Sequence, residues 1–179
     1  MQAQGVDRKM QDFELFEKLL GIKKPWCVTN LELNVDKTKV KLRIEYPKKT
    51  KALYPKCKKE FTVYDRNPER SWRHLDTMQF ETLITCSVPR IDCKEHGIST
   101  LEVPWAEAKN GFTLLFERFA IHVLQNAATQ ESVKNVLRLS WDEVHGIQER
   151  AVERGLKKRV YENIKYIGID EKSFLTGHK

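Results

Sequence analysis

The stretch GFTLLFERFAIHVLQNAATQESVKNVLRLSWDEVHGIQERAVERGLKKR, residues 111–159, decides how the rest of the chain is read. In its first part Phe112, Leu115, Phe116, Phe119, Ala120, Val123, Leu124 and Ala127 recur at steps of three and four, the spacing of one helical face. Thr129 is placed to cap a short second helix, whose inward face is Val133, Val136 and Leu137. Ser140 followed by Glu143 is a capping box, so a third helix starts there with Val144, Ile147 and Ala151 as its buried stripe. Two or three residues between the second and third helices force a sharp crossing. That is the corner by which a helix-turn-helix lays its last helix against a duplex.

The outward side of that last helix carries Asp142, His145, Gly146, Glu149, Arg150 and Glu153. Its acids would face phosphates; a carboxylate can accept from cytosine N4, but elsewhere it costs affinity. Positive charge comes from the flank, in Arg138, Arg150, Arg154, Lys157, Lys158 and Arg159. These residues and His145 are the expected DNA contacts, with His145 and Arg150 expected to touch a base or a phosphate. Trp141 reads as a packing residue at the helix start, and His122 as a partly buried, satisfied ring.

Composition sets the frame. The chain has 179 residues, 40% of them hydrophobic, and a net charge of +7, which favours an anionic partner. No apolar run approaches the ~20 residues of a membrane span, and the first residues lack the apolar centre of a signal peptide. A cytoplasmic protein with no membrane partner is expected. The four cysteines, Cys27, Cys57, Cys86 and Cys93, are irregularly spaced, unlike a secreted disulfide framework.

Working back to the start, Met10, Phe13, Phe16, Leu19 and Leu20 have helical spacing, with Gly21 to end the helix. Leu31–Val35 and Val40–Tyr46 alternate apolar and polar residues around Asp36–Lys39, a hairpin with one buried face. Lys48–Lys59 holds six lysines, either a solvated loop or a patch that contacts phosphates. Phe80, Ile84 and Val88, with Thr82 and Cys86 between them, predict one long strand. Ser99–Ala106 reads as a last short strand, stopped by Pro104, and Glu107–Gly111 as a linker.

Cys93 and His96, followed by Gly97, have the gap of a metal knuckle. Tetrahedral Zn²⁺ takes four ligands from two such knuckles. The partner lies at Cys57, yet Tyr54 stands where its companion cysteine belongs. Cys57, Cys93 and His96 are therefore a three-ligand set. Cys86 or His74 is a possible fourth by residue type, and a metal-free ribbon held by packing is the alternative.

An ordered set of short motifs runs through the chain. It comprises Val63-Tyr-Asp-Arg66, Trp72-Arg-His-Leu-Asp76, Val88-Pro-Arg-Ile91, Cys93-x-x-His96-Gly97, Val103-Pro-Trp-Ala106, Ser132-Val133, Leu139-Ser-Trp-Asp-Glu-Val144 and Tyr166-Ile-Gly-Ile-Asp170-Glu171. From about Phe13 onward this resembles the N-terminal part of ISL3-family insertion-sequence transposases. The resemblance implies a zinc-ribbon-like module, a helix-turn-helix and an RNase H-like catalytic domain whose three acids hold Mg²⁺. Asp170 matches the first acid; the other two fall beyond Lys179. Adjacent strand residues point to opposite faces, so Asp170 and Glu171 are not a catalytic pair. This chain alone is expected to be inactive in DNA cleavage, as a truncated gene, a relic or a cut segment.

The expected fold class is α+β in several modules. Residues 1–50 form a helix and β hairpin, 51–106 the zinc-ribbon-like module, 107–160 the helix-turn-helix, and 161–179 the first strand of an incomplete RNase H-like domain. The expected function is recognition of the terminal inverted repeats of an insertion sequence, with a homo-oligomer as a further possible partner. The competing class is a protein-interaction or dimerisation module, or a relic without function.

Overall fold

The computed structural model describes residues 12–159. Expectations for Met10, for the strand at 164–169 and for Asp170 lie outside them. The short helix α1 (Asp12–Leu19) ends as expected at Gly21, whose φ of +64° suits a residue without Cβ. It packs on a four-stranded sheet built from β1 (Cys27–Asn34), β2 (Lys39–Glu45), β6 (Arg70–Thr77) and β7 (Phe80–Cys86), in the order β1-β2-β7-β6. The hairpin β1–β2 is antiparallel and β2 runs parallel to β7. Val40, Leu42, Ile44 and Tyr46 give β2 the predicted buried face. In β1 the prediction fails, because Leu33 and Val35 are exposed. β1 is the sheet's edge, its register shifts between Val28 and Asn30, and its far end lies open among the described residues.

Three further short strands, β5 (Val63–Arg66), β8 (Pro89–Cys93) and β9 (Gly97–Thr100), make an antiparallel sheet in the order β5-β8-β9. The pair β3 (Ala52–Leu53) and β4 (Glu60–Phe61) closes the first knuckle. The single long strand predicted from Phe80 to Val88 is split. It breaks at Ser87–Val88, and Pro89 opens β8 in the other sheet. One buried cluster runs from Leu20 to Ala106 and includes Trp26, Trp72 and Trp105, which meet edge to face at 5.0 and 5.7 Å. The boundary expected after residue 50 thus crosses a shared core.

Helices α2 (Leu114–Asn126), α3 (Gln130–Leu137) and α4 (Trp141–Lys157) surround a second cluster of Phe112, Phe116, Ala120, Val133, Leu137, Leu139, Val144 and Ile147. Thr129 caps α3, and Ser140 with Glu143 forms the capping box of α4, both as predicted. The buried faces are narrower than their spacing implied. Leu115, Phe119 and Val136 are exposed, since a three-helix unit of this size covers only part of each helix.

The residues read as a linker are pinned. Arg73 of β6 donates its N–H to Gly111 O at 2.8 Å and accepts from Thr113 N–H at 3.0 Å. Thr113 caps α2 by accepting from Phe116 N–H at 3.2 Å. Its hydroxyl lies 2.8 Å from Nδ1 of buried His74, so the hydroxyl proton is free to point at an unprotonated ring nitrogen. Burial, with the charge of Arg73 beside it, lowers the His74 pKa to about 4. The unfolded ring protonates near pH 6.5. Between these values the unfolded chain binds the proton and the folded chain does not, so stability falls as pH falls. The expected slope is on the order of 1.4 kcal/mol per pH unit. Urea unfolding at about pH 7 and about pH 5 checks this: His74→Gln, which cannot titrate, should lose less stability across that interval than the parent.

Candidate nucleic-acid interface and metal centre

The corner between α3 and α4 is made by Arg138, which ends α3 in the left-handed region with φ +56°, and by buried Leu139. Left-handed backbone is unusual for an arginine. It is held by ion pairing of Arg138 with Asp76 and by a 3.5 Å bond to Gln79 O, both on the β6–β7 hairpin. The face of α4 opposite Val144 and Ile147 is open to solvent. Asp142, His145, Gln148, Glu149 and Glu153 lie exposed along it. Trp141 is 48% exposed, with the Lys134 ammonium 5.4 Å from its ring centre. It is therefore a surface ring and not the packing residue predicted. His122 is exposed as well, contrary to its reading as partly buried.

Two of the acids in the α4 surface are already engaged. Glu143 Oε2 accepts from Ser140 N–H at 2.7 Å, and Glu153 pairs with Lys157 at 2.8 Å. Lys158 and Arg159 are exposed. The predicted contacts Arg150 and Arg154 are turned inward instead. Arg150 Nε donates to Glu117 Oε1 at 2.7 Å, and Arg154 Nη1 lies 3.2 Å from Glu117 Oε2 and 3.3 Å from Glu107. Glu117, on α2, is 2% exposed. A buried carboxylate requires such partners, because desolvating it alone would cost several kcal/mol. Arg150 and Arg154 thus anchor α4 to α2, each with about a third of its side chain still exposed. The sequence held the signal: both arginines lie near the buried stripe of α4, and Glu117 lies between Phe116 and Ala120 on α2.

In the ribbon, the donor atoms of Cys57, Cys93 and His96 come within 4.8 Å of one another, as the knuckle spacing predicted. Cys57 Sγ and Cys93 Sγ are 4.0 Å apart, and His96 Nδ1 is 3.4 Å from Cys93 Sγ. The His96 ring, joined by backbone N–H groups of Glu95 and His96, holds the Cys93 thiol below its ordinary range against the opposing effect of burial. These are donors suited to zinc. Neither suggested fourth ligand joins them. His74 is bound to Thr113, and Cys86 is a buried thiol of β7 whose pKa burial pushes up to about 12. The fourth position belongs to Tyr54, 2% exposed, whose hydroxyl donates to His96 O at 3.1 Å. Around the knuckles Lys48, Lys49, Lys56, Lys58 and Lys94 are exposed, while Lys51 pairs with Glu60 and Lys59 with Glu95.

Two family models match in succession. The zinc-finger of transposase IS204/IS1001/IS1096/IS1165 covers residues 55–96, and the helix-turn-helix domain of transposase family ISL3 covers residues 101–152. Among curated proteins, the transposases for insertion sequence element IS1557 from two strains of Mycobacterium tuberculosis are 29% identical over 177 residues, 95% of this chain. The match takes in 39% of their length, so the chain spans about two fifths of these relatives. No solved structure matches significantly.

Because Glu117 is buried and its two arginines are about one-third exposed, breaking the trio should strand cations that can still turn to water. Glu117→Ala is expected to cost about 3 kcal/mol, the lower end of what loss of one partner of a buried pair costs. Chemical unfolding measures it, and a double-mutant cycle with Arg150→Gln should show coupling above about 0.5 kcal/mol.

Proposed function

We propose, from the premise that the chain carries the ribbon and helix-turn-helix modules of ISL3-family transposases in order, that it is the DNA-recognising N-terminal segment of such a transposase. Its target would be the terminal inverted repeats of an insertion sequence. The observation that carries the reading is the open face of α4, from Trp141 to Glu153, on a capped and internally anchored three-helix unit. His145 is the side chain on that face best suited to a base edge. Arg138, Lys157, Lys158 and Arg159 are assigned to phosphates. The exposed ribbon lysines add affinity without sequence information. No helix of the described residues is long and apolar enough to cross a membrane.

Strand cleavage and transfer are proposed for the whole transposase. Its Mg²⁺ ions would be held by acids of which Asp170 is the first. A second reading, self-association, is supported by the exposed apolar residues Leu114, Leu115 and Phe119 on α2 and Val152 and Leu156 on α4. Sedimentation of the purified chain separates a monomer from a dimer.

The DNA reading is tested by gel shift of the 179-residue chain on the element's terminal repeat and on a scrambled duplex, across salt. Affinity should fall steeply between about 50 and 200 mM salt. Lys158→Ala with Arg159→Ala should weaken both duplexes alike and flatten the salt slope by about one per charge removed. His145→Ala should narrow the preference for the repeat by about 1–3 kcal/mol. Binding that ignores salt, or no preference for the repeat, overturns the assignment.

A further inference from the structure

The two knuckles of the ribbon share one frame. Tyr54-Pro-Lys-Cys57 and Cys93-Lys-Glu-His96 are each four residues long, with two residues between first and last. Each is closed by a backbone bond, Lys58 N–H to Tyr54 O at 2.9 Å and His96 N–H to Cys93 O at 3.1 Å. Each is followed by a left-handed residue, Lys58 with φ +56° and Gly97 with φ +76°. Tyr54 therefore holds the place in the first knuckle that Cys93 holds in the second.

What Tyr54 does there differs from ligation. Its ring lies tilted over His96 with centres 5.6 Å apart and meets Phe61 edge-on at 6.0 Å. Its hydroxyl reaches across to the opposite knuckle and donates to His96 O. The link between knuckles that a metal makes elsewhere is here made by a buried aromatic ring and one hydrogen bond. Lys59 paired with Glu95 at 2.9 Å spans the same gap at the surface. A hydroxyl committed to a carbonyl is no ligand for the thiol cluster, so among the described residues three protein ligands remain where a closed structural zinc site needs four.

We infer that Tyr54 closes this ribbon in place of a fourth ligand, so that the module folds without zinc, and that Cys57, Cys93 and His96 take Zn²⁺ as an open, exchangeable three-ligand site. Loss of an outer-shell partner alone costs about 10–100-fold in metal affinity, so a missing ligand should cost about 100-fold or more. The apolar packing of Tyr54, and not the metal, then carries the ribbon's stability.

The test uses the full chain with Zn²⁺ and a chelator, read by melting temperature and by competition with a zinc-binding dye. The parent is expected to melt at the same temperature with and without excess EDTA, and to bind one zinc that EDTA removes while the chain stays folded. Tyr54→Cys should bind zinc at least about 100-fold more tightly and acquire a melting temperature that drops when EDTA is added. Tyr54→Phe, which keeps the ring and loses the bond to His96 O, should melt lower than the parent while binding zinc no more tightly. Zinc in the parent that resists EDTA until the chain unfolds overturns the inference, as does a parent that takes up no zinc or a Tyr54→Cys chain with unchanged affinity. None of these readouts involves DNA, so they stand apart from the gel-shift result.

Discussion

Everything downstream of the sheet depends on the backbone of Arg73. Its N–H and C=O hold Gly111 and Thr113, turning the segment between β9 and α2 into a short parallel bridge along β6. The same residue's guanidinium is 8% exposed, pairs with Asp76 and Glu81, and lies 5.1 Å from the Phe116 ring centre, at the start of the helical core. A buried cation is expensive unless compensated. Here two carboxylates and a ring face compensate it, and they come from β6, β7 and α2. The carboxylates lie on the sheet with Arg73 itself, so the helices are tied to it here by the backbone bonds to Gly111 and Thr113 and by the Phe116 ring face. Asp76 binds Arg138 as well, so the corner between α3 and α4 is tied to the same hairpin.

A second buried charge, Glu117, does for α4 what Arg73 does for α2. It draws in Arg150 and Arg154, which are four residues apart on α4. A hydrophobic contact at this position would fix α4 less specifically, because apolar surfaces slide at small cost, whereas a forked guanidinium on a carboxylate has one good geometry. The arrangement engages two arginines in ion pairs. On α4 Asp142, His145 and Glu149 are exposed, while exposed positive charge lies at Lys158 and Arg159 and on the ribbon.

The helix-turn-helix was legible because its signals are local. A capping box, an N-cap threonine and apolar steps of three and four act within a few residues. The three metal donors were legible for the same reason, through fixed spacing. Exposure was not. Leu115, Phe119, Val136 and Trp141 fit apolar patterns yet lie open, because burial depends on how many neighbours the fold supplies. The inward turn of Arg150 and Arg154 was hidden because it rests on an acid more than thirty positions away in sequence. The joining of the hairpin to β6 and β7 in one sheet escaped similarly, since parallel pairing of β2 with β7 leaves no local mark.

The separation of roles on this molecule follows from electrostatics. A duplex attracts any basic surface, so affinity can be drawn from lysines on loops that carry no sequence information. In the proposed function, acids on α4 would act as a filter: Asp142 and Glu149 would repel the backbone unless a suitable base donor met them. Such a filter works only if the helix cannot tilt away from the mismatch. Glu117 on one side and Arg73 with Asp76 on the other oppose that tilt, each by keeping buried or partly buried charges paired. Under that proposal the buried ion pairs would make an acidic reading face selective, and the surface lysines would make it bind.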